Sequence, residues 1–262
     1  MKIVVCIKQV PDTKDVRINP ETGTMIREGV PSIVNPFDLY AVETALQLKE
    51  RLGAAVIALS MGPPQAAEAL REVISMGVDE GILLSDRAFA GSDTLATGYT
   101  LSKAIEKIGA VDLVITGKQA IDGDTAQVGP GVAVNLDRPF VAFVGKLEEA
   151  GDKTLRAARL MENGHDLIEI DLPAVISVVK EIGEPRLPTV RGKLRARKWA
   201  PTVWTSDDLN VEAARIGLSG SPTQVAKIFT PKLRKKGEIL QAETPERVAD
   251  LAAEKLQNVI RG

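Results

Sequence analysis

The densest set of groups able to bind an anion lies in one short run, Gly117 to Val128, GKQAIDGDTAQV. An apolar stretch from Leu113 to Thr116 stops abruptly at Gly117, where a glycine lets the chain turn tightly or approach a ligand. Lys118, Gln119, Ala120, Ile121, Asp122, Gly123, Asp124, Thr125, Ala126, Gln127 and Val128 then follow, short, polar and rich in acceptors. The pattern predicts a strand entering a loop and a helix over residues 126–136, with Thr125 or Asp124 as cap. Such a helix start presents free backbone N–H groups to a phosphate. An ordinary capped strand-to-helix turn would carry the same residues. A second candidate run is GSDTLATG, where Thr94 and Thr97 stand three apart. At a helix start they share one face and could meet a single ligand, although Asp93 or Thr94 could equally be a plain cap.

Other chemistries find little support. Cys6 is the single cysteine and His165 the single histidine, so an intrachain disulfide is excluded and a Cys/His metal centre is not expected. Cys6 falls in a strand-like run and reads as a packed small residue. His165 sits beside the Asn163-Gly164 turn and reads as a surface residue. No side-chain acid, base or nucleophile is expected to be catalytic.

Strands and helices alternate around these residues. A β-branched run from Lys2 to Val10 predicts the first, central strand of a parallel sheet. Asn35-Pro36-Phe37-Asp38 precedes a helical pattern of Ala41, Val42, Ala45, Leu46 and Leu48, with Asn35 either capping the helix or facing a ligand. A strand over residues 54–60 ends in Met61-Gly62 and a helix over 65–76 starts on proline. A strand over 81–85 leads through GSDTLATG into a helix to Ile108. A small hairpin around NPETGT interrupts the first unit. The repeated alternation implies right-handed crossovers and a parallel sheet covered on both faces, with the loops after Val10, Ser60, Ser85 and Thr116 on one edge. In such sheets that edge binds ligands.

From Phe140 the runs over 140–147, 154–161 and 167–170 predict an antiparallel meander, followed by an apolar strand over 174–179. The segment EPRLPTVRGKLRARKWAP is proline-rich and basic and reads as a linker or docking surface. Beyond it come GLSGSPTQVAKIFTP, the basic KLRKK and an amphipathic helix over 245–260 that needs something to cover its apolar face. The division is an α/β nucleotide-binding domain over 1–185, a partner-recognition loop and linker over 186–204, and a C-terminal arm over 205–262.

The chain has 262 residues, with 33 Lys and Arg against 35 Asp and Glu, a net charge of -2 that gives no reason to expect nucleic acid or an anionic membrane as partner. The N-terminus opens on a strand rather than a signal peptide, and no apolar run has the length of a membrane span. A cytoplasmic location without membrane insertion is the expectation. GxxxxGK[ST] and GxGxxG are both absent, which counts against a phosphate cradle of either kind.

Together CIKQVPDT, NPFDLYAVETAL, ALSMGP, ITGKQAIDGDTAQVGP and RLMENGHDLIEIDLPAVISV resemble the β subunit of electron transfer flavoprotein, over nearly the whole chain. The resemblance implies a Rossmann-like α/β fold, a heterodimer with a larger flavin-bearing α subunit, and a nucleotide held by the sheet. Carried over by position, the site comprises Cys6 and Lys8, Asn35 to Asp38 with Pro36 and Phe37, Met61 and Gly62, and Gly117 to Val128. The GSDTLATG loop resembles members whose β subunit binds FAD and bifurcates electrons, which would give Asp93, Thr94 and Thr97 a place at the flavin and NADH a place as donor. AMP in a structural role is the alternative cofactor, in a non-bifurcating member. Flavin-dependent dehydrogenases and ferredoxin-type proteins are the implied acceptors, with Val190 as apolar anchor and Arg191, Lys193, Arg195 and Arg197 around it. An ATP-using adenylating enzyme of similar fold and a nucleotide-sensing module are the readings from other classes.

Overall fold

The computed structural model describes residues 1–12, 17–18, 25–26, 31–151, 153–224, 237 and 239–261. Two units are distinguished, Met1–Ala226 and Lys227–Gly262.

The first unit is built on a nine-stranded sheet among the described residues, in the order β11-β10-β9-β12-β8-β1-β6-β7-β13. Chain order gives β1 (Lys2–Cys6), β2 (Gln9–Pro11), β3 (Arg17–Ile18), β4 (Met25–Ile26), β5 (Ser32–Val34), α1 (Pro36–Leu52), β6 (Ala55–Met61), α2 (Ala67–Met76), β7 (Glu80–Leu84), α3 (Thr94–Ile108), β8 (Leu113–Gly117) and α4 (Val128–Asn135). The strands β9 (Phe140–Ala150), β10 (Thr154–Met161), β11 (Gly164–Asp171) and β12 (Ala174–Val178) follow, then α5 (Val190–Lys198) and β13 (Thr202–Trp204). All pairings from β9 through β13 along that order are parallel, and β9, β10 and β11 form the antiparallel meander. Fold class and meander are therefore as the sequence pattern implies.

Alternation along β1 explains the layering. Ile3 and Val5 enter the core under α1 and α2, with Leu46, Leu70 and Ile74. Val4 and Cys6 enter a second core under α3 and α4, with Leu101, Ile105 and Val132. A parallel strand covered on both faces reads as a near-continuous apolar run, as Ile3 to Cys6 of β1 and Leu113 to Ile115 of β8 do. Chain order runs from β1 outward to β6 and β7, then returns to β8 on the other side of β1. With right-handed crossovers that reversal moves the covering helices to the opposite face. It leaves a crevice between the ends of β1 and β8.

Several expected boundaries shift. The first strand ends at Cys6 instead of Val10, because Lys8 N–H donates to the Asp38 carboxylate (2.8 Å) and Lys8 C=O accepts from Asn35 N–H (2.8 Å). That draws the chain out of the sheet, and Gln9–Pro11 pairs instead with Ser32–Val34. The expected hairpin is present as β3 paired with β4, while its NPETGT turn lies outside the described residues. Within 186–204, expected as loop and linker, Val190–Lys198 forms α5, packed on α2, and Thr202–Trp204 forms β13, which pairs with β7 at the sheet edge. Residues 205–224 likewise belong to the first unit, not to an arm. Leu209 and Ile216 are buried in the second core. KLRKK lies outside the described residues. In the second unit α6 spans Pro245–Arg261, as its periodicity predicts, with Leu256 and Ile260 exposed. None of the described helices is long and apolar enough to cross a membrane.

Candidate functional site

The carboxyl ends of β1, β6, β7 and β8 open into one cleft of about 1070 Å³. Cys6, Ile7 and Lys8 line it from β1, Met61 and Gly62 from β6, Ser85 and Asp86 from β7, and Thr116, Gly117 and Lys118 from β8. Its two long walls are the 117–129 loop and the 85–97 loop with the start of α3. The two candidate runs singled out in the sequence thus face the same space.

Asp38 organises the floor. Its carboxyl is buried and accepts hydrogen bonds from Lys8 N–H, the Gly117 backbone and the Asn35 side chain. Burial raises its pKa from 3.8 to about 7, against the lowering effect of those hydrogen bonds and of the Lys8 charge. Gly117 permits this closure. A Cβ there would lie 2.5 Å from Asp38 Oδ1 and 2.6 Å from the Phe37 carbonyl carbon. Cys6 packs beside it, and burial with the Asp38 charge pushes its thiol up to about 12, so the thiolate that would react is suppressed.

The 117–129 loop is held from behind. Asn35 stands at the N-cap position of α1 but makes no side-chain cap bond there. Its amide donates to Gln119 C=O (2.8 Å) and accepts from Ile121 N–H (3.1 Å). Lys8 reaches the Asp122 carboxylate at 2.7 Å. Asn35, Pro36, Phe37, Ile121, Asp122 and Asp124 accordingly support the loop without lining the cleft, whereas Gln119, Ala120, Gly123, Thr125, Ala126, Gln127 and Val128 line it.

Helix α4 starts at Val128, with Gln127 at its N-cap position and no side-chain cap. The expected Thr125 or Asp124 cap is prevented because Asp124 and Ala126 take left-handed φ values of 53° and 54°, and Asp124 is bonded to the Gln119 side chain. The step from left-handed Ala126 to right-handed Gln127 turns successive N–H groups toward one concavity, a form that suits anions. Thr116, 5 % exposed, lines the cleft, and its Oγ1 has no hydrogen-bond partner.

On the opposite wall Asp93 caps α3: its Oδ1 accepts from Leu95 N–H (2.9 Å) and Ala96 N–H (3.1 Å). Its Oδ2 accepts from Thr223 N–H (3.1 Å) and the Thr223 hydroxyl (2.8 Å). A carboxylate so occupied shapes the site and leaves the ligand to its neighbours. Thr94 and Thr97 line the cleft at the start of α3.

Several lining residues escaped the sequence reading: Pro63, Ser85, Asp86, Arg87, Phe89 and Thr223. Asp86 and Arg87 follow a strand directly, and position at a carboxyl edge was the available signal. Thr223 carried none.

The docking residues lie on α5 instead of on a loop. Val190 is 77 % exposed, with Leu187 and Leu194 also exposed. Arg191, Lys193 and Arg197 are exposed. Arg195 is pinned, its guanidinium donating to the carbonyls of Ile74 (2.6 Å) and Val78 at the end of α2. His165 is exposed on the edge strand β11.

A profile for the Electron transfer flavoprotein domain matches residues 22–209. The chain is 50% identical over 252 residues to "Electron transfer flavoprotein subunit beta" of Thermoanaerobacterium thermosaccharolyticum, covering 96% of each chain. It is 48% identical over 258 residues to "Caffeyl-CoA reductase-Etf complex subunit CarD" of Acetobacterium woodii, covering 98% of each. With "Protein FixA" of Azotobacter vinelandii it shares 45% identity over 265 residues, covering 98% of this chain and 94% of that one. These matches disfavour the adenylating-enzyme reading. The chain belongs to the electron transfer flavoprotein family, as a β subunit serving electron transfer.

Proposed function

We propose that the cleft holds FAD and that the chain, joined to a larger α subunit, passes electrons as a bifurcating electron transfer flavoprotein with NADH as two-electron donor. The carrying observation is the extent of the cleft, about 1070 Å³, running from the 117–129 loop to Thr94 and Thr97. Sites for drug-sized ligands occupy roughly 300–1,000 Å³, so this one suits a dinucleotide better than AMP. The residues fit the group. Backbone N–H groups around Thr125 to Gly129 and the unpartnered Thr116 hydroxyl would receive phosphate oxygens. Thr94 and Thr97, whose hydroxyls engage no other described residue, would meet the ring portion. A bound flavin supplies the one- and two-electron chemistry, and the protein binds it, orients it and sets its electrostatics. Lys118 adds positive charge at the phosphate end, where Lys8 is paired with Asp122.

One electron of the pair goes to a flavin-dependent dehydrogenase or reductase docked on the exposed apolar face of α5, with Val190 as anchor and Arg191, Lys193 and Arg197 at the rim, and the other goes to a ferredoxin-type acceptor. The relative named as a subunit of a caffeyl-CoA reductase complex supports that kind of partner. A cytoplasmic location accords with a single unpaired, buried cysteine. The test is to purify the heterodimer, release its cofactors and count them. Two FAD per heterodimer are expected. One FAD with one AMP would return the chain to the simple carrier class.

A further inference from the structure

The 85–93 wall of the cleft is fastened at both ends by a distant stretch of chain. At one end Asp86 Oδ2 accepts from Ser206 N–H (2.9 Å) and the Ser206 hydroxyl (2.6 Å). At the other, Asp93 Oδ2 accepts from Thr223 N–H and its hydroxyl, and Asp93 N–H donates to Ser221 Oγ (2.8 Å). Between these ends Gly217 N–H donates to Ser92 Oγ (3.1 Å). Gly217 has φ 56° and sits against the Ala88 carbonyl so closely that any Cβ would collide with it. A Cβ on Gly91, at φ 75°, would in turn lie 2.5 Å from the Leu218 side chain. The two segments are interlocked, Gly217 against the Ala88 carbonyl and the Leu218 side chain over Gly91.

The fastening segment is itself rigidly seated. Leu209 and Ile216 are buried in the second core. Tyr99 hydroxyl accepts from Glu212 N–H (3.1 Å), and the Arg215 guanidinium stacks 3.8 Å above the Tyr99 ring. It therefore transmits the rigidity of α3 to a wall that has only a short 3-10 turn, Arg87–Phe89, of its own. The opposite wall makes none of these contacts, being tied to Asn35 and Lys8.

We propose that residues 205–223 are a positioning clasp for the ring-side wall of the cleft, with Asp93–Thr223 and Asp86–Ser206 as its two fastenings, so that the clasp governs retention of FAD but not of AMP. Both carboxylates bond through one oxygen to an N–H and a hydroxyl of the same residue, a pairing that fixes direction as well as distance. An AMP moiety held at the 117–129 wall has no need of them. A dinucleotide spanning to Thr94 and Thr97 does, because those hydroxyls sit within one turn of the Asp93 cap. This rests on the reading that the cleft is a nucleotide site.

The test uses the full chain, stripped of nucleotide and titrated separately with FAD, by fluorescence quenching, and with AMP, by calorimetry. Thr223→Val removes the hydroxyl bond and keeps shape; it should weaken FAD about tenfold, because binding must then re-order a loosened wall, and leave AMP unchanged. Thr223→Ser should restore FAD. The visible circular dichroism of bound flavin should change in the valine variant and recover in the serine variant. Unchanged FAD affinity in Thr223→Val, or an equal loss of FAD and AMP, would overturn the clasp. Should Thr223→Val not fold, Ser206→Ala is read on the same scale, with the same outcomes deciding. A wild-type chain that binds neither nucleotide would instead overturn the reading of the cleft, which keeps the two failures apart.

Discussion

Of two glycines in the 117–129 loop only one should respond to substitution by alanine, because only one of them is a point of closure. At Gly117 an alanine Cβ would stand 2.5 Å from Asp38 Oδ1, 2.6 Å from Phe37 C and 2.7 Å from Phe37 O. Two of the three atoms are backbone at the first turn of α1 and the third is a buried carboxylate tied to Lys8, so none can swing aside. Relief requires β8 and α1 to separate by several tenths of an ångström. Overpacking of this kind costs about 1–3 kcal/mol, and at roughly 2–4 °C per kcal/mol for a chain of this size the melting temperature should fall by about 5 °C. The same movement displaces Lys118 to Ala120, so nucleotide affinity should fall with stability. Gly123 has nothing within 4 Å of its would-be Cβ and no positive φ, and Gly123→Ala should melt with the wild type. Calorimetric melting and FAD titration of both variants give the comparison. If Gly117→Ala melts and binds as the wild type does, the claim that this glycine closes β8 onto α1 is wrong.

Three further outcomes are expected. Because burial raises Asp38 to about 7, the folded protein holds that proton more tightly than the unfolded chain; stability should be greatest below about pH 4 for this group and decline as pH rises to about 7, by on the order of 4 kcal/mol. Asp38→Asn should flatten that part of the stability profile, and a profile parallel to wild type would refute the assignment. Arg186 holds the buried Glu43 at 2.7 Å, and although burial pushes Glu43 up, these bonds keep its pKa below the usual range. Arg186→Ala should therefore destabilise by roughly 3–5 kcal/mol at neutral pH, less as acid titrates Glu43, and denaturant melts should show it. Val190→Asp should slow electron transfer to the dehydrogenase by about tenfold or more with flavin content intact; unaltered kinetics would remove α5 from docking.

How far the sequence disclosed this arrangement depends on the range of the interactions involved. The βαβ alternation and the meander rest on local periodicity, and they emerged with their order intact. The 117–128 run drew attention because a strand-end glycine and a cluster of short polar residues occur together, and most of it lines the cleft. Boundaries failed where a distant side chain intervened. Lys2 to Val10 looks like one strand, and only the distant Asp38 and Asn35, drawing off the Lys8 N–H and C=O, divide it. Thr125 looks like a cap, and only the left-handed turns at Asp124 and Ala126 move the helix start to Val128. The basic stretch from Glu184 looks like a linker because its propensity is weak and its prolines conspicuous. What makes Val190–Lys198 a helix is packing against α2 and the seating of Arg195 on the carbonyls of Ile74 and Val78.

The least legible residues are those that complete the cleft from the far end of the chain. Ser206 lies 120 residues from Asp86 and Thr223 lies 130 from Asp93. Nothing in GSPTQ announces a binding wall, since serine, proline and threonine are ordinary turn formers. The signal resides in the partner. Asp93 is a conventional helix cap through one carboxylate oxygen, and the other oxygen, left over by the cap, is what the distant threonine occupies. A cap at the mouth of a cleft has that second oxygen available in general, and whichever segment satisfies it becomes part of the site without any motif of its own. The same holds for Asp86, whose Oδ1 accepts from Ala88 N–H while Oδ2 goes to Ser206. Two capping aspartates at one sheet edge therefore specify two long-range attachments. Where a cleft opens between such caps, its shape is set by chain that the cleft's own sequence does not contain.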